Sequence, residues 1–569
     1  MSVINFNQTN CQNCYACVRV CPVNAIKVIK NHAEIMETKC IACGKCLDVC
    51  PKNAKKVQSE LEKVKCFLKN KEEVVVSIAP SFVSVFAENS TKISTALKKI
   101  GFSYVEETVV GAKLVTEEYN RYIQNMKDTS YITSCCPTIN LLIQKYYPDQ
   151  IPHLLPVVSP MVAHTRLLKA KYGNKVKAVF IGPCLSKKLE GIDENTIDAV
   201  LIFEELIELI NENYIDFNEL EESPFDDSMP SYRSYPLTGG VLQNIKQNKQ
   251  QTLSVSGLTD CIQTLEAIKQ GKHKNITFEM SACEHSCISG SGMPKDNVDI
   301  VERKLRVLRY SSLNDNKPSG EDKTIYSVNL QQSFPSLYTP LKIPSEEKIK
   351  EILKTLGKTE VDDELNCGTC GYKTCKDKAI AIYNGMAELN MCLPFMRYRA
   401  ETLTNVIFDV TPNTVLMIKK DLTILEFNPA AETFFNMQRN DVIGLPVSVV
   451  LDDDLFSYVA KHNCNIIGKR MSVNNNKSVV IQNIVWIDSH EVMLCILHDI
   501  TDQVKKQEWM KSLKINAIDM AQQVINKQMM VAQEIASLLG ETTAETKVTL
   551  THLKKLIQQE EDDKDELLR

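Results

Sequence analysis

The chain has 569 residues, too many for one hydrophobic core, so several domains are expected. A net charge of −5 and a pI near 6.1 argue against a nucleic-acid or membrane-surface protein. No apolar run reaches the length that spans a bilayer, and MSVINFNQTN lacks the basic and apolar regions of a secretory leader, so a cytoplasmic protein is expected. In a reducing compartment, twenty-one cysteines point to metal ligation rather than disulfides. All but four fall in groups; Cys66, Cys261, Cys464 and Cys495 stand alone and read as small buried hydrophobes.

Cys11, Cys14, Cys17 and Cys21-Pro22 form C-x2-C-x2-C-x3-C-P, and Cys40, Cys43, Cys46 and Cys50-Pro51 repeat it. Three thiolates of such a run wrap one [4Fe–4S] cube, while the fourth serves the other cube. Cys11, Cys14, Cys17 and Cys50 are therefore assigned to one cluster, and Cys40, Cys43, Cys46 and Cys21 to the second. Zinc is the alternative, disfavoured by the doubled, proline-terminated pattern. Residues 1–58 resemble bacterial two-cluster ferredoxins. Residues 1–70 hold 11 basic against 5 acidic residues, which either compensates cluster charge or docks an acidic electron carrier.

From Val74 onward, short apolar strands alternate with amphipathic helices, predicting an α/β domain over 70–340. Three cysteine loops follow predicted strands: Cys135-Cys136-Pro137 before a helix over Thr138–Tyr147, Gly182-Pro-Cys184-Leu-Ser-Lys187 after a strand over Val176–Ile181, and Ser281-Ala-Cys283-Glu-His-Ser-Cys287. In this order they resemble the signature segments of the [FeFe]-hydrogenase large subunit, as do Ala79-Pro80-Ser81 and Thr238-Gly239-Gly240-Val241. The resemblance implies an H-cluster, a [4Fe–4S] cube bridged to a diiron unit with CO, cyanide and a dithiolate. Cys136, Cys184, Cys283 and Cys287 match the cube's ligands, Cys287 supplying the bridging sulfur. Lys187 matches a lysine that hydrogen-bonds a cyanide, Pro80 and Ser81 the holders of the other cyanide, and Cys135 a proton-passing thiol.

Several positions depart from that family. Gly182 and Ser281 stand where methionines face the diiron unit, Met161 replaces a glutamine, and Tyr235-Pro236 replaces Phe-Gly. The family's proton route needs two glutamates and a serine. Glu117 and Glu118 offer one carboxylate, but Arg121 or Tyr122 falls near the second, and Leu155 takes the serine's place. A leucine cannot relay a proton. These departures are similar to those of sensory [FeFe]-hydrogenases and imply slow turnover unless another route exists.

Ser345–Leu356 reads as an amphipathic helix leading to Cys367, Cys370, Cys375 and Cys392, a quartet suited to another [4Fe–4S] cluster or to zinc, in a small helical domain over 345–400. It resembles the four-cysteine domain of some corrinoid and electron-transfer proteins. Residues 401–503 carry a strand over Thr423–Asn428, a helix over Pro429–Phe435, and strands over Val479–Trp486 and Val492–Asp499; they resemble a PAS domain. No dedicated cofactor is expected there, His462, His490 and His498 being read as ordinary polar residues. Over 504–569, Leu513, Ala517, Met520, Val524, Val531, Ile535 and Leu538 recur at coiled-coil spacing before an acidic end, Glu560–Glu566. The expected partners are H2 and protons, a ferredoxin-type carrier, a second copy through the coiled coil, and a separate kinase- or phosphatase-type output protein. The leading reading is a slow, hydrogen-sensing hydrogenase. The alternatives are a metabolic ferredoxin-linked hydrogenase, a cubane protein without the diiron unit like the related cluster-assembly proteins, and a redox sensor indifferent to H2.

Overall fold

A computed structural model describes residues 3–125, 129–246, 251–313, 327–473, 477–536 and 548–555. The chain forms two compact units, Met1–Arg397 and Tyr398–Arg569.

In the first unit, the doubled cysteine run makes two short antiparallel ladders, Ile4–Phe6 with Lys55–Val57 and Ile26–Ile29 with His32–Ile35. The two halves repeat a local device. The Ala25 N–H donates to Cys21 Sγ at 3.2 Å, and the Ala54 N–H donates to Cys50 Sγ at 3.3 Å.

Behind this segment lie two parallel sheets. One has the order Tyr104–Glu107, Val74–Ile78, Lys177–Gly182, Ala199–Ile202; the other is Gln251–Ser256, Ile276–Ser281, Tyr131–Ile132. Val74–Ile78 is buried throughout, as a strand covered on both faces must be. The cysteine loops leave the carboxyl ends of Tyr131–Ile132, Lys177–Gly182 and Ile276–Ser281, where parallel sheets place their ligand crevice. The helices entering from those loops are Pro137–Tyr146 and Leu185–Ile192.

The first of these helices also fixes the ferredoxin-like segment. Lys145 Nζ donates to the carbonyls of Glu37 (2.9 Å) and Cys40 (2.7 Å), and the Tyr146 hydroxyl donates to those of Lys39 (2.7 Å) and Val23 (3.1 Å). One helix therefore begins at Cys136 and ends on the loop that carries Cys40. Gly44, beside Cys43, is required where this segment meets the stretch after Cys287, because its φ is +82° and a Cβ would stand 2.3 Å from the Ser291 Cβ.

The quartet Cys367–Cys392 belongs to this unit. Its entry helix is Glu346–Thr355, capped by Ser345, whose Oγ accepts from the Lys348 N–H. Gly371, at φ +89°, lies against the helix between Cys17 and Cys21, where a Cβ would come within 2.8 Å of Val18 Cγ1. Tyr372, Ala381, Met386, Ala387 and Met391 share a core with Val18, Ile26 and Val28.

The second unit is a five-stranded antiparallel sheet, ordered Ile424–Phe427, Thr414–Lys419, Val492–Asp499, Ser478–Ile487, Ile466–Val473. The Asn428 side chain is fully buried, caps helix Pro429–Phe435 through the Ala431 N–H and accepts from the Val415 N–H. Helix Thr501–Ala536 follows, with Leu513, Met520, Val524, Val531 and Ile535 exposed. Leu538 and the acidic end Glu560–Glu566 lie outside the described residues. No described helix is long and apolar enough to cross a membrane.

One expectation is corrected. Cys261 and Cys495 are buried, but Cys66 is exposed and Cys464 only half-buried. Helix Leu61–Lys69 turns Leu61 and Val64 inward, which leaves Cys66 on the outer face.

Candidate functional site

A cavity of about 120 Å³ opens where the strand ends converge. Cys136, Cys184, Cys283 and Cys287 line it together with Cys135, Lys187, Pro80, Ser81, Met161 and Ser281. Loops separated by some 150 residues of chain thus deliver four thiols to one wall. Burial pushes the Cys184 thiol up to about 11, with Cys136 reinforcing the rise, and also holds Cys283 and Cys287 well above the ordinary thiol value. Free thiolates are disfavoured there, so four together call for a cationic partner such as iron.

Two hydroxyls sharpen this fit. Ser81 Oγ and Thr133 Oγ1 line the cavity, are buried, and have no hydrogen-bond partner among the described residues. An unpaired buried hydroxyl costs about 1–3 kcal/mol, and a polar ligand in the cavity removes that cost. Lys187 adds a cation. Its Nζ donates to Glu190 Oε2 at 2.7 Å and to the Cys135 carbonyl at 3.4 Å. Burial works against its charge, but Glu190, Cys184 and Cys135 outweigh burial and hold its pKa above the ordinary value. Four thiols, a lysine and unpaired hydroxyls suit an anionic iron–sulfur group with polar ligands.

Gly182 is not among the lining residues; Phe180 is. A Cβ at Gly182 would lie 2.7 Å from the Phe180 ring, so that ring occupies the space a longer residue would need. Tyr235, Pro236 and Val241 also line the wall. Glu117 is exposed, Glu118 pairs with Arg121 at 2.9 Å, and Leu155 is buried in the core. None of the three reaches the cavity wall.

Sequence reading passed over Tyr119 and Glu279. Tyr119 is fully buried, and its hydroxyl lies 3.3 Å from Cys135 Sγ and 3.0 Å from Ser134 Oγ. Position 119 follows the two glutamates on the same helix, which drew attention away from it. Glu279 lines the cavity and accepts from the N–H groups of Gly239 (3.0 Å), Val241 (3.1 Å) and Leu242 (3.3 Å). Burial, opposed by those donors, pushes its carboxyl from 4.5 up to about 7. Because the folded pKa is raised, the stability this group contributes is full below 4.5 and is lost as pH rises through 7. Glu279→Gln should therefore flatten this part of the pH dependence, which urea midpoints between those two values will show.

In the N-terminal segment, burial pushes the Cys43 thiol up to about 12, with Cys21 and Cys40 adding to the rise. Cys46 rises through burial too, reinforced by Cys43, Cys40 and Cys21. These four stand close to one another. Cys11 and Cys17 pack in the same core as Cys21 and Cys46, Cys14 is exposed, and Cys50 is half-buried. Cys367, Cys370, Cys375 and Cys392 line a second, smaller cavity of about 20 Å³. Lys378 also lines it and is buried, with Nζ donating to the Glu388 carbonyl at 2.5 Å. Burial pulls its pKa down to about 8 against the opposing charges of Cys370 and Cys392. A buried cation beside four thiols suits an anionic centre, whether iron–sulfur or zinc thiolate.

Comparison with known proteins agrees with this division. Residues 72–291 match the family described as iron only hydrogenase large subunit, C-terminal domain. Residues 3–51 match a 4Fe-4S dicluster domain, 363–394 a family described as putative Fe-S cluster, and 412–502 a PAS domain. Iron hydrogenase 1 of Clostridium pasteurianum is 25% identical over 52% of this chain, which spans 63% of that relative. The cytosolic Fe-S cluster assembly factor narfl of Danio rerio is 20% identical over 50% of this chain and 85% of its own length. A solved [FeFe]-hydrogenase studied for oxygen inactivation is 17% identical, covered in full by 50% of this chain, with a TM-score of 0.41.

Proposed function

We propose that this chain, in which an iron-only hydrogenase large-subunit domain is joined to a dicluster domain, a further Fe–S domain and a PAS domain, is a hydrogen sensor with slow turnover. One observation carries the reading. Four thiols, Lys187 and the unpaired hydroxyls of Ser81 and Thr133 share a cavity, while Glu118 is tied to Arg121 outside it.

Cys136, Cys184, Cys283 and Cys287 would hold the iron–sulfur group. That group supplies heterolytic H2 cleavage and storage of the resulting electrons. Lys187 and Ser81 hold its anionic ligands by hydrogen bonds, and Cys135 holds a proton at Sγ beside the site. Cys40, Cys43, Cys46 and Cys21 bind the nearer ferredoxin-type cluster; Cys11, Cys14, Cys17 and Cys50 bind the other. Cys367, Cys370, Cys375 and Cys392 bind a third. The exposed apolar residues of helix Thr501–Ala536 pair with a second copy in a coiled coil. Oxidised and reduced states differ in affinity for a separate output protein, which is what a redox signal requires.

The relative named as a cluster assembly factor favours a second reading, a cubane protein without the diiron unit. Lys187 and Cys135 argue against it, since a bare cube needs neither. Infrared spectra of anaerobically matured protein under argon and then H2 decide between them. Sharp CO and CN bands that shift reversibly with H2, with slow catalysis, are the expected result. Bands with fast catalysis would indicate a metabolic hydrogenase, and no bands would leave the second reading.

A further inference from the structure

We propose that Thr108, Ser77, His164 and Glu106 form a proton relay from the central cavity to the surface at Lys171 and Tyr172, replacing the glutamate route this chain lacks. The proposal rests on the hydrogenase reading above. Thr108 lines the cavity beside Ala79 and Pro80. Its Oγ1 lies 2.8 Å from Ser77 Oγ, which lies 2.8 Å from His164 Nδ1. His164 Nε2 is 3.1 Å from Glu106 Oε2. Glu106 Oε1 accepts from the Tyr172 hydroxyl at 2.6 Å and from Lys171 Nζ at 2.8 Å. Lys171 also pairs with Asp227 at 3.2 Å, and these two side chains are 24% and 33% exposed.

The chain is continuous because the secondary structure aligns it. Ser77 and Glu106 are register partners on adjacent parallel strands. His164, Lys171 and Tyr172 lie seven and eight residues apart on helix Pro160–Tyr172, hence on one face. Ser77, His164 and Glu106 are wholly buried, yet every link is within hydrogen-bond length. Each member from Thr108 to Glu106 can take a proton at one atom and release one from the same group. Burial opposes ionisation of Glu106, but His164 and Lys171 outweigh it and place the carboxyl at about 2. The carboxylate therefore faces His164 and stabilises a passing imidazolium.

For a proton leaving the cavity, Thr108 Oγ1 receives it and gives its own to Ser77 Oγ. Ser77 gives its own to His164 Nδ1, and the imidazolium releases its Nε2 proton to Glu106 Oε2. The carboxyl turns about Cγ–Cδ and passes that proton to the Tyr172 oxygen, which gives its own hydroxyl proton to solvent at the half-exposed end of the helix, Lys171 remaining a charged donor that holds the carboxylate. One proton crosses, and the hydroxyls and the ring return by reorientation.

A purely structural network would have the same distances, so the test must separate the two. In full-length protein carrying its clusters but no diiron unit, labelled with 15N-histidine, exchange of the His164 ring N–H into D2O is followed by NMR. Glu106→Gln keeps hydrogen bonding but cannot carry a proton. If Glu106 conducts, the variant exchanges more slowly than the wild type. If the network is only structural, weakening it speeds local opening and exchange rises or stays equal, which overturns the proposal. In matured protein, T108V should lower turnover by about 10²-fold with CO and CN bands unchanged, and T108S should restore it. Wild-type turnover in T108V also overturns the relay. Absence of the bands in the wild type would sink the hydrogenase reading alone, because the exchange result still decides the relay.

Discussion

Lys187→Met should give a protein that keeps iron–sulfur absorption, shows no CO or CN bands after maturation, and unfolds at lower denaturant. Two separable effects are involved. The Lys187 and Glu190 side chains are each 11% exposed and 2.7 Å apart. Removing the cation strands a nearly buried carboxylate, at a cost of about 3–5 kcal/mol. The same change removes the cation from a cavity in which four thiols would bind iron while Lys187 and the unpaired hydroxyls would hold the group's anionic ligands. The double variant K187M/E190Q takes away the stranded charge. It should recover most of the lost stability, read from urea midpoints, and still show no bands. Recovery of both would mean that Lys187 only supports the helix Leu185–Ile192 and does not hold the diiron unit.

What the sequence made legible follows from the length over which each signal acts. The helix Pro429–Phe435 and the strand Val492–Asp499 have the bounds that their apolar periodicity predicts. The three cysteine loops follow strands, because Cys, Pro and Gly interrupt apolar runs of strand length. Local pattern suffices for such features. It does not suffice for Phe180, two residues away on the same strand, whose ring fills the space beside Gly182. Nor does it suffice for Ser77 and His164, 87 residues apart, whose meeting depends on how a helix is laid across a sheet. A lone histidine in an apolar helix reads as core until its neighbours are known. Cys66 shows the reverse error, since its environment depended on which face of a nine-residue helix turned outward.

Cys135→Ala should leave CO and CN bands intact while turnover falls by about 10²–10⁴-fold, the usual effect of losing a positioned acid–base group. Cys135 lies on the cavity wall but next to, rather than among, the four proposed ligands, so its loss spares assembly. On the proposed reading, its contacts disfavour an exit through the helix behind it. The Tyr119 oxygen accepts from the Ser134 N–H at 2.9 Å, and Ser134 Oγ donates to the Val157 carbonyl at 2.5 Å. That branch ends on a backbone carbonyl, which cannot pass a proton onward. Tyr119 therefore positions the thiol at 3.3 Å without extending the route. Tyr119→Phe should shift the Cys135 S–H infrared band and change turnover far less than Cys135→Ala does. If instead Tyr119→Phe matches Cys135→Ala in turnover, the proton departs through the tyrosine, and the Val157 carbonyl is not the end of that branch. If Cys135→Ala turns over at the wild-type rate, protons reach the wall at Thr108 without the thiol, and Cys135 has lost the role that the resemblance implies.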